Sequence, residues 1–328
     1  MKSKKILLAN ILLLVALLLF IFVPSLANIF LKLKGSISGD ISLLLSGGTT
    51  VITLGGIALL YCKIIKIPFN KVMVIKKISV KQVYLIMLVA VGTYIFAVGI
   101  NSVSMKLFPV AIKDSMQISN LLNSSSLLLG LIVVVLLPAF FEEVFFRGIF
   151  LDAYEGVNKK VKYIIITLIF ATFHGNVMQI IYVMFLGLIL LKVREHTGSI
   201  VGSMTLHAAN NAISFIISKI AMNYTKVINT GTNNGVIDPS QAAAAADVMN
   251  ASFLVVFLRA LIFLLIGGAM LYINLRKLKE CIEEKVEIEP VKKDYLVRNE
   301  GNGNIKTIQY IPLTIYFASM IVIVVLRY

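Results

Sequence analysis

The stretch Leu127–Phe150 reads LLLGLIVVVLLPAFFEEVFFRGIF. Leu127 to Phe141 is free of charge, and then Glu142, Glu143 and Arg147 fall within six residues. The run is long enough for a membrane helix. Ionised side chains at bilayer depth cost roughly 2.5–3.5 kcal/mol each on insertion scales. A membrane helix keeps three of them only where protein or a wet cavity holds them. The apolar half of the stretch decides the fold class; the charged half poses the functional question.

The rest of the chain agrees with a membrane assignment. Its 328 residues are 59% hydrophobic and 14% charged, with a mean hydropathy of +0.92. A soluble domain is nearer half apolar and a quarter charged. Hydrophobic segments lie near 6–31, 41–62, 83–105, 126–150, 161–174, 177–193, 199–218, 251–275 and 309–327. The expected fold is an all-α polytopic transmembrane bundle of eight or nine membrane helices. Three regions are expected: N-terminal membrane helices over 1–120, a core over 121–220, and a C-terminal part over 221–328. That last part holds an external loop, a membrane helix, a charged cytoplasmic segment and a final membrane helix. Lys2, Lys4 and Lys5, an apolar run and Ser25-Leu26-Ala27 resemble a signal peptide. The run from Ile6 to Val23 exceeds a usual signal core, so an uncleaved first helix is expected.

The net charge of +15 is distributed unevenly. With a cytoplasmic N-terminus, the outer connections carry only Lys32, Lys34, Lys106, Lys113, Lys219 and Lys226. Most other basic residues fall on the inner side, as the positive-inside rule requires. The basic excess is therefore topological, and no compact soluble domain is present to bind nucleic acid. Cys62 and Cys281 are far apart on the reducing side, so no disulfide or metal framework follows. The Lys/Ile/Asn-rich composition points to a low-GC bacterium and its plasma membrane. Outside the core, Asn-Thr-Gly-Thr-Asn-Asn-Gly at 229–235 and an Ala-rich stretch ending at Asp247 suggest a loop with a short helix. Leu275–Ile288 reads as a solvated helix and 299–304 as a turn.

The fifth segment is short. Val161–His174 makes roughly 21 Å of helix, less than the ~30 Å hydrocarbon core. It stops at His174-Gly175-Asn176 and resumes at Val177. Irregular backbone at that depth is tolerated only where protein or water satisfies it. Measured from the cytoplasmic side, Glu142, His174 and His207 lie about 15, 20 and 14 Å deep. Three helices thus bring polar groups to similar depth. Glu143 and Arg147 are spaced i,i+4, acid first, which suits an ion pair. Glu142 points about 100° away, free for other work. His207 and Asn211 share a face, as do Phe170 and His174.

Each feature also has a plain structural reading. The Glu143–Arg147 pair can serve packing alone, and a lone membrane histidine or Asn211 can be interhelical glue. Phe140, Phe141, Phe145 and Phe146 suit packing or lipid contact. Arg259 is expected to snorkel or pair. Glu142 resists this treatment, because a second carboxylate beside a paired one is costly and has no structural purpose.

Three motifs in order carry a resemblance. EExxxR is Glu142-Glu143-Val144-Phe145-Phe146-Arg147, FxxxH is Phe170–His174, and HxxxN is His207–Asn211. Over residues 127–218 the chain resembles the CAAX-protease and bacteriocin-processing (CPBP, or Abi) intramembrane proteases. The resemblance implies a helical membrane endopeptidase. Glu142 with His174 would activate water, His207 and Asn211 would stabilise the oxyanion, and Glu143 with Arg147 would order the site. A positioned base contributes about 10²–10⁴-fold, and one oxyanion donor about 2.7–4 kcal/mol. No HExxH occurs. Glu142, His174 and His207 also suit a two-His-one-carboxylate site for a divalent metal such as zinc; the reading leans to a metal-free mechanism. The implied partners are the lipid bilayer and a membrane-associated peptide or protein. A bacterial source favours leader- or signalling-peptide maturation over prenylated substrates. Two alternatives stand: a non-proteolytic bacteriocin-immunity or scaffold protein of the same family, and a transporter, which lacks the paired inverted halves expected of one.

Overall fold

The computed structural model describes residues 2–32, 38–112, 125–228, 239–288 and 307–327. These residues form helices and short turns, with no strand among them. We number the helices α1 (Lys2–Lys32), α2 (Gly39–Ile65), α3 (Val80–Leu107), α4 (Leu127–Ala153), α5 (Lys159–Phe173), α6 (Val177–Thr197), α7 (Ile200–Ile228), α8 (Pro239–Asn250), α9 (Phe253–Ile288) and α10 (Ile311–Arg327). Eight of them are long and apolar enough to cross a membrane. Of the nine expected segments, the one left over is α5, whose 15 residues are too short to cross. The protein is a multi-pass membrane bundle.

Two boundaries differ from the hydropathy reading. Helix α7 continues past residue 218 to Ile228, and α9 joins the eighth segment to the charged stretch in one helix of 36 residues. Hydropathy marks where a helix leaves lipid; backbone hydrogen bonding continues beyond that point. The Ala-rich stretch is helical, as α8. The expected turns at 229–235 and 299–304 lie outside the described residues.

Helices α4, α5, α6 and α7 pack against one another. Along α4, Leu128, Ile132, Leu136 and Phe140 recur every four residues and are all exposed, forming a lipid-facing stripe. Glu143, Arg147 and Phe146 on the inner side are fully buried. Helix α4 contains two widened turns, Leu131–Leu136 and Val144–Ile149. Such π turns shift side-chain register and recur at functional sites.

Two devices fix the neighbours. Helices α3 and α9 approach through glycines: a Cβ added at Gly267 would stand 2.6 Å from the Phe96 amide nitrogen. Small residues of this kind let membrane helices pack backbone to backbone. The start of α7 is tied to the loop after the one-turn helix Phe69–Met73. The Ile200 amide donates to the Val74 carbonyl (3.3 Å), the Ser199 hydroxyl donates to the Lys76 carbonyl (2.6 Å), and Arg194 donates to the Met73 carbonyl (3.2 Å). Val74 has φ of 51° there, a region that β-branched residues rarely occupy. Arg259 pairs with Asp247 at 2.7 Å on the surface, as its sequence position suggested.

Candidate active site

The break between α5 and α6 is built from local chemistry. Gly175 takes a left-handed backbone (φ 60°), reversing the chain. A helix end leaves carbonyls unpaired, which is costly in lipid. Here the His174 and Gly175 amides donate to Ala171 and Thr172, and the imidazole Nδ1 of His174 donates to the Phe170 carbonyl at 2.9 Å. Helix α10 completes the set: the Tyr316 hydroxyl donates to the Ile169 carbonyl at 3.2 Å, and Arg327 donates to the Gly175 carbonyl at 3.3 Å. On the far side, Asn176 caps α6 by accepting from the Gln179 amide at 3.3 Å.

The bond to Phe170 fixes the tautomer of His174. A carbonyl only accepts, so Nδ1 carries the hydrogen and Nε2 of the neutral ring keeps its lone pair. The Phe170 ring lies edge-on to both histidines, with centroids 5.1 Å from His174 and 6.0 Å from His207. The Arg147 guanidinium lies over its face at 4.1 Å. One aromatic ring thus separates and orients two imidazoles and a cation.

The charged residues of α4 meet α7 directly. Arg147 donates to Glu143 at 2.9 Å and to the Gly187 carbonyl of α6 at 3.2 Å. The i,i+4 pair expected from sequence is present, with both side chains fully buried. Removing one partner from such a pair would strand a charge. His207 Nδ1 donates to the same Glu143 oxygen at 3.0 Å. The Ser203 hydroxyl, which donates to the Ile200 carbonyl, sits beside Glu143 one turn before His207. The opposite face of the His207 ring approaches the first acid of the doublet: Nε2 stands 3.9 Å from Glu142 Oε2. That is too long for a direct hydrogen bond and within reach of one shared water.

Asn211 lies one turn beyond His207, and its amide donates to the Val134 carbonyl at 3.1 Å. The cause is in α4. Pro138 has no N–H to offer the carbonyl four residues back, which is Val134. One amide hydrogen of Asn211 is thereby engaged in helix–helix contact, and the second remains. Glu142 Oε2, Glu143 Oε2 and Arg147 Nε have no hydrogen-bond partner among the described residues. Among the same residues, no three of His, Cys, Asp or Glu stand together closely enough for a metal ion.

Sequence reasoning passed over several neighbours. Ser203, Tyr182 and Gly187 adjoin the cluster, Tyr182 as an electrostatic neighbour of Glu142, and Asn176 follows His174 by two residues with its buried Nδ2 unpartnered. Ser203 carried a signal, since it precedes His207 by four residues. Gly187 contributes through its backbone, which side-chain patterns do not reveal.

Fold and geometry define a polytopic membrane protein with acids, imidazoles and an arginine gathered inside the bundle. Residues 124–213 match a family model described as type II CAAX prenyl endopeptidase Rce1-like, of the CPBP family. The matched stretch contains Glu142, Glu143, Arg147, His174, His207 and Asn211. At the level of the family, this segment is similar to intramembrane CAAX-type proteases. No curated protein and no solved structure matches the chain.

Proposed function

We propose that the protein is an intramembrane endopeptidase that hydrolyses peptide bonds of a membrane-associated peptide or protein. The observation that carries this reading is the partnerless Glu142 Oε2 facing His207 Nε2 across 3.9 Å. A carboxylate at bilayer depth is costly unless it is paired, and Glu142, unlike Glu143, has no ion pair with an arginine, which leaves it available to a reactant.

The residues divide the work as follows. Glu142 takes a proton from water held between it and the lone pair of His174 Nε2. The water oxygen attacks the scissile carbonyl carbon, forming a tetrahedral oxyanion. His207, in the imidazolium form with its Nδ1–H held by Glu143, donates its Nε2–H to that oxyanion. Asn211 adds its second amide hydrogen. Arg147 keeps Glu143 ionised and oriented, so Glu143 and Arg147 position the imidazole and stay out of the reaction itself. When the C–N bond breaks, the proton on Glu142 passes to the leaving amine. No step is routed through a metal. Metal analysis of the purified protein with a chelator-inhibition assay tests that choice; stoichiometric zinc that restores chelator-lost cleavage would replace it.

The concentration of basic residues in alternate connections, at 2–5, 63–81, 147–162, 192–194 and 276–306, supports a cytoplasmic N-terminus, and the composition supports a bacterial plasma membrane. The deciding experiment compares the membrane and secreted proteomes of cells carrying wild type and Glu142→Gln. Expected is loss of at least one cleavage product, about 10²-fold or more in rate, with normal insertion of the variant. Retained cleavage by Glu142→Gln would refute the hydrolase reading. Retained cellular function without any cleavage would favour the non-proteolytic alternative.

A further inference from the structure

We infer that Asn176 is an additional substrate-binding residue: its side-chain amide donates to a main-chain carbonyl of a bound peptide held in extended form. This deepens the proposed hydrolase reading and rests on it.

Asn176 sits two residues beyond His174, at the start of α6 inside the membrane. Its side chain is 1% exposed. Its two polar atoms differ in their satisfaction. Oδ1 accepts from the Gln179 amide as the helix cap, which fixes the orientation of the amide group. Nδ2 has no partner among the described residues. A buried donor without an acceptor is costly, and native proteins retain few of them. Capping does not require this nitrogen, because serine caps as well as asparagine.

Asn176 is the extended N-cap of α6 (φ −127°, ψ 118°), so the helix fixes its place at the start of one face. Asn176, Val183 and Gly187 recur at seven and eleven residues and share one face of α6. Gly187 shows where that face looks. A Cβ placed there would meet the Phe170 ring at 3.2 Å and Arg147 Nη2 at 3.6 Å. Asn176 therefore stands at the start of that face, two residues from His174. The amide hydrogens meet the helix N-terminus, where the dipole is positive, so the local field favours an acceptor.

The donor's chemistry specifies the ligand. A carbonyl within a helix is already bonded to the amide four residues on. A peptide that offers a free carbonyl to Asn176 must be extended at that point. The site then takes its substrate unwound, with one carbonyl anchored by Asn176 and the scissile carbonyl set near Glu142 and His174.

The test uses full-length protein in proteoliposomes. Its probe is a synthetic peptide spanning the cut site found by comparing wild type with Glu142→Gln. Asn176→Ser keeps the cap and removes the donor. Expected is a fall in kcat/KM of roughly three- to fifteen-fold, the size of one neutral hydrogen bond, carried mainly by KM. A disturbed break would act through His174 and lower kcat instead. An unchanged KM, or a loss confined to kcat, overturns the inference and leaves the hydrolase reading intact, provided Glu142→Gln is inactive. If Glu142→Gln cuts as well as wild type, the hydrolase reading fails and this one with it. A melting temperature for Asn176→Ser equal to wild type shows that the fold is kept; if it drops, Asn176→Asp, which also caps without the donor, must reproduce the KM rise or the inference falls.

Discussion

Helix α4 carries two charged clusters ten residues apart, and they differ in completeness. At its end, Asp152 has both oxygens bonded: Lys5 donates to Oδ1 and Oδ2 at 2.9 Å each, and the Tyr61 hydroxyl donates to Oδ2 at 2.7 Å. Nearby, Tyr154 donates to Asn10, which donates to the Gln309 carbonyl. This network joins α1, α2, α4 and the turn before α10. In the middle of α4, Glu142, Glu143 and Arg147 each leave a buried atom without a partner. The same helix thus holds one acid, Asp152, whose oxygens are both bonded, and one cluster with unpartnered atoms. Saturated polar groups build structure; unsaturated ones are kept where a ligand or reactant supplies the missing bond.

The contrast can be broken experimentally. Arg147→Met strands Glu143 in the protein interior and should have the largest effect on stability, about 3–5 kcal/mol. A detergent melting curve would show it, and cleavage should be lost as well. Asp152→Asn should cost less, about 1–3 kcal/mol, because amide oxygen still accepts from Lys5 or Tyr61. Its cleavage rate per folded molecule should match wild type; a selective loss of activity would erase the distinction between the clusters. Phe140→Ala, on the lipid-facing stripe, should change the melting temperature least, within the ~0.5 kcal/mol usual for peripheral sites. A large shift there would mean that the stripe packs against protein.

Local patterns were readable from sequence and long-range bonds were not. The Glu143–Arg147 spacing and the His174-Gly175-Asn176 stop both rest on helix geometry, which depends on neighbours in the chain. The nine apolar segments located every numbered helix except α8, which the Ala-rich stretch indicated, yet missed the length of α7 and α9, since helices outlast their lipid-soluble parts. The pairing of Asp152 was not readable, because its partner Lys5 is 147 residues away. Asn211 read as a member of HxxxN or as interhelical glue. Its bond to Val134 depends on Pro138 in another helix, a cause that no single motif contains. The His207–Glu143 bond likewise joins two motifs that sequence could only place at similar depth.

The cap on the α5 break has a consequence for biosynthesis. Tyr316 and Arg327, which satisfy carbonyls beside His174, leave the ribosome after α1 to α9. Chains emerge from the N-terminus onward, so a nascent polypeptide carries the acids and imidazoles long before the break is sealed. Helix α10 is therefore a late arrival in the scaffold, and the reactive centre is not fully braced until α10 has been made and docked.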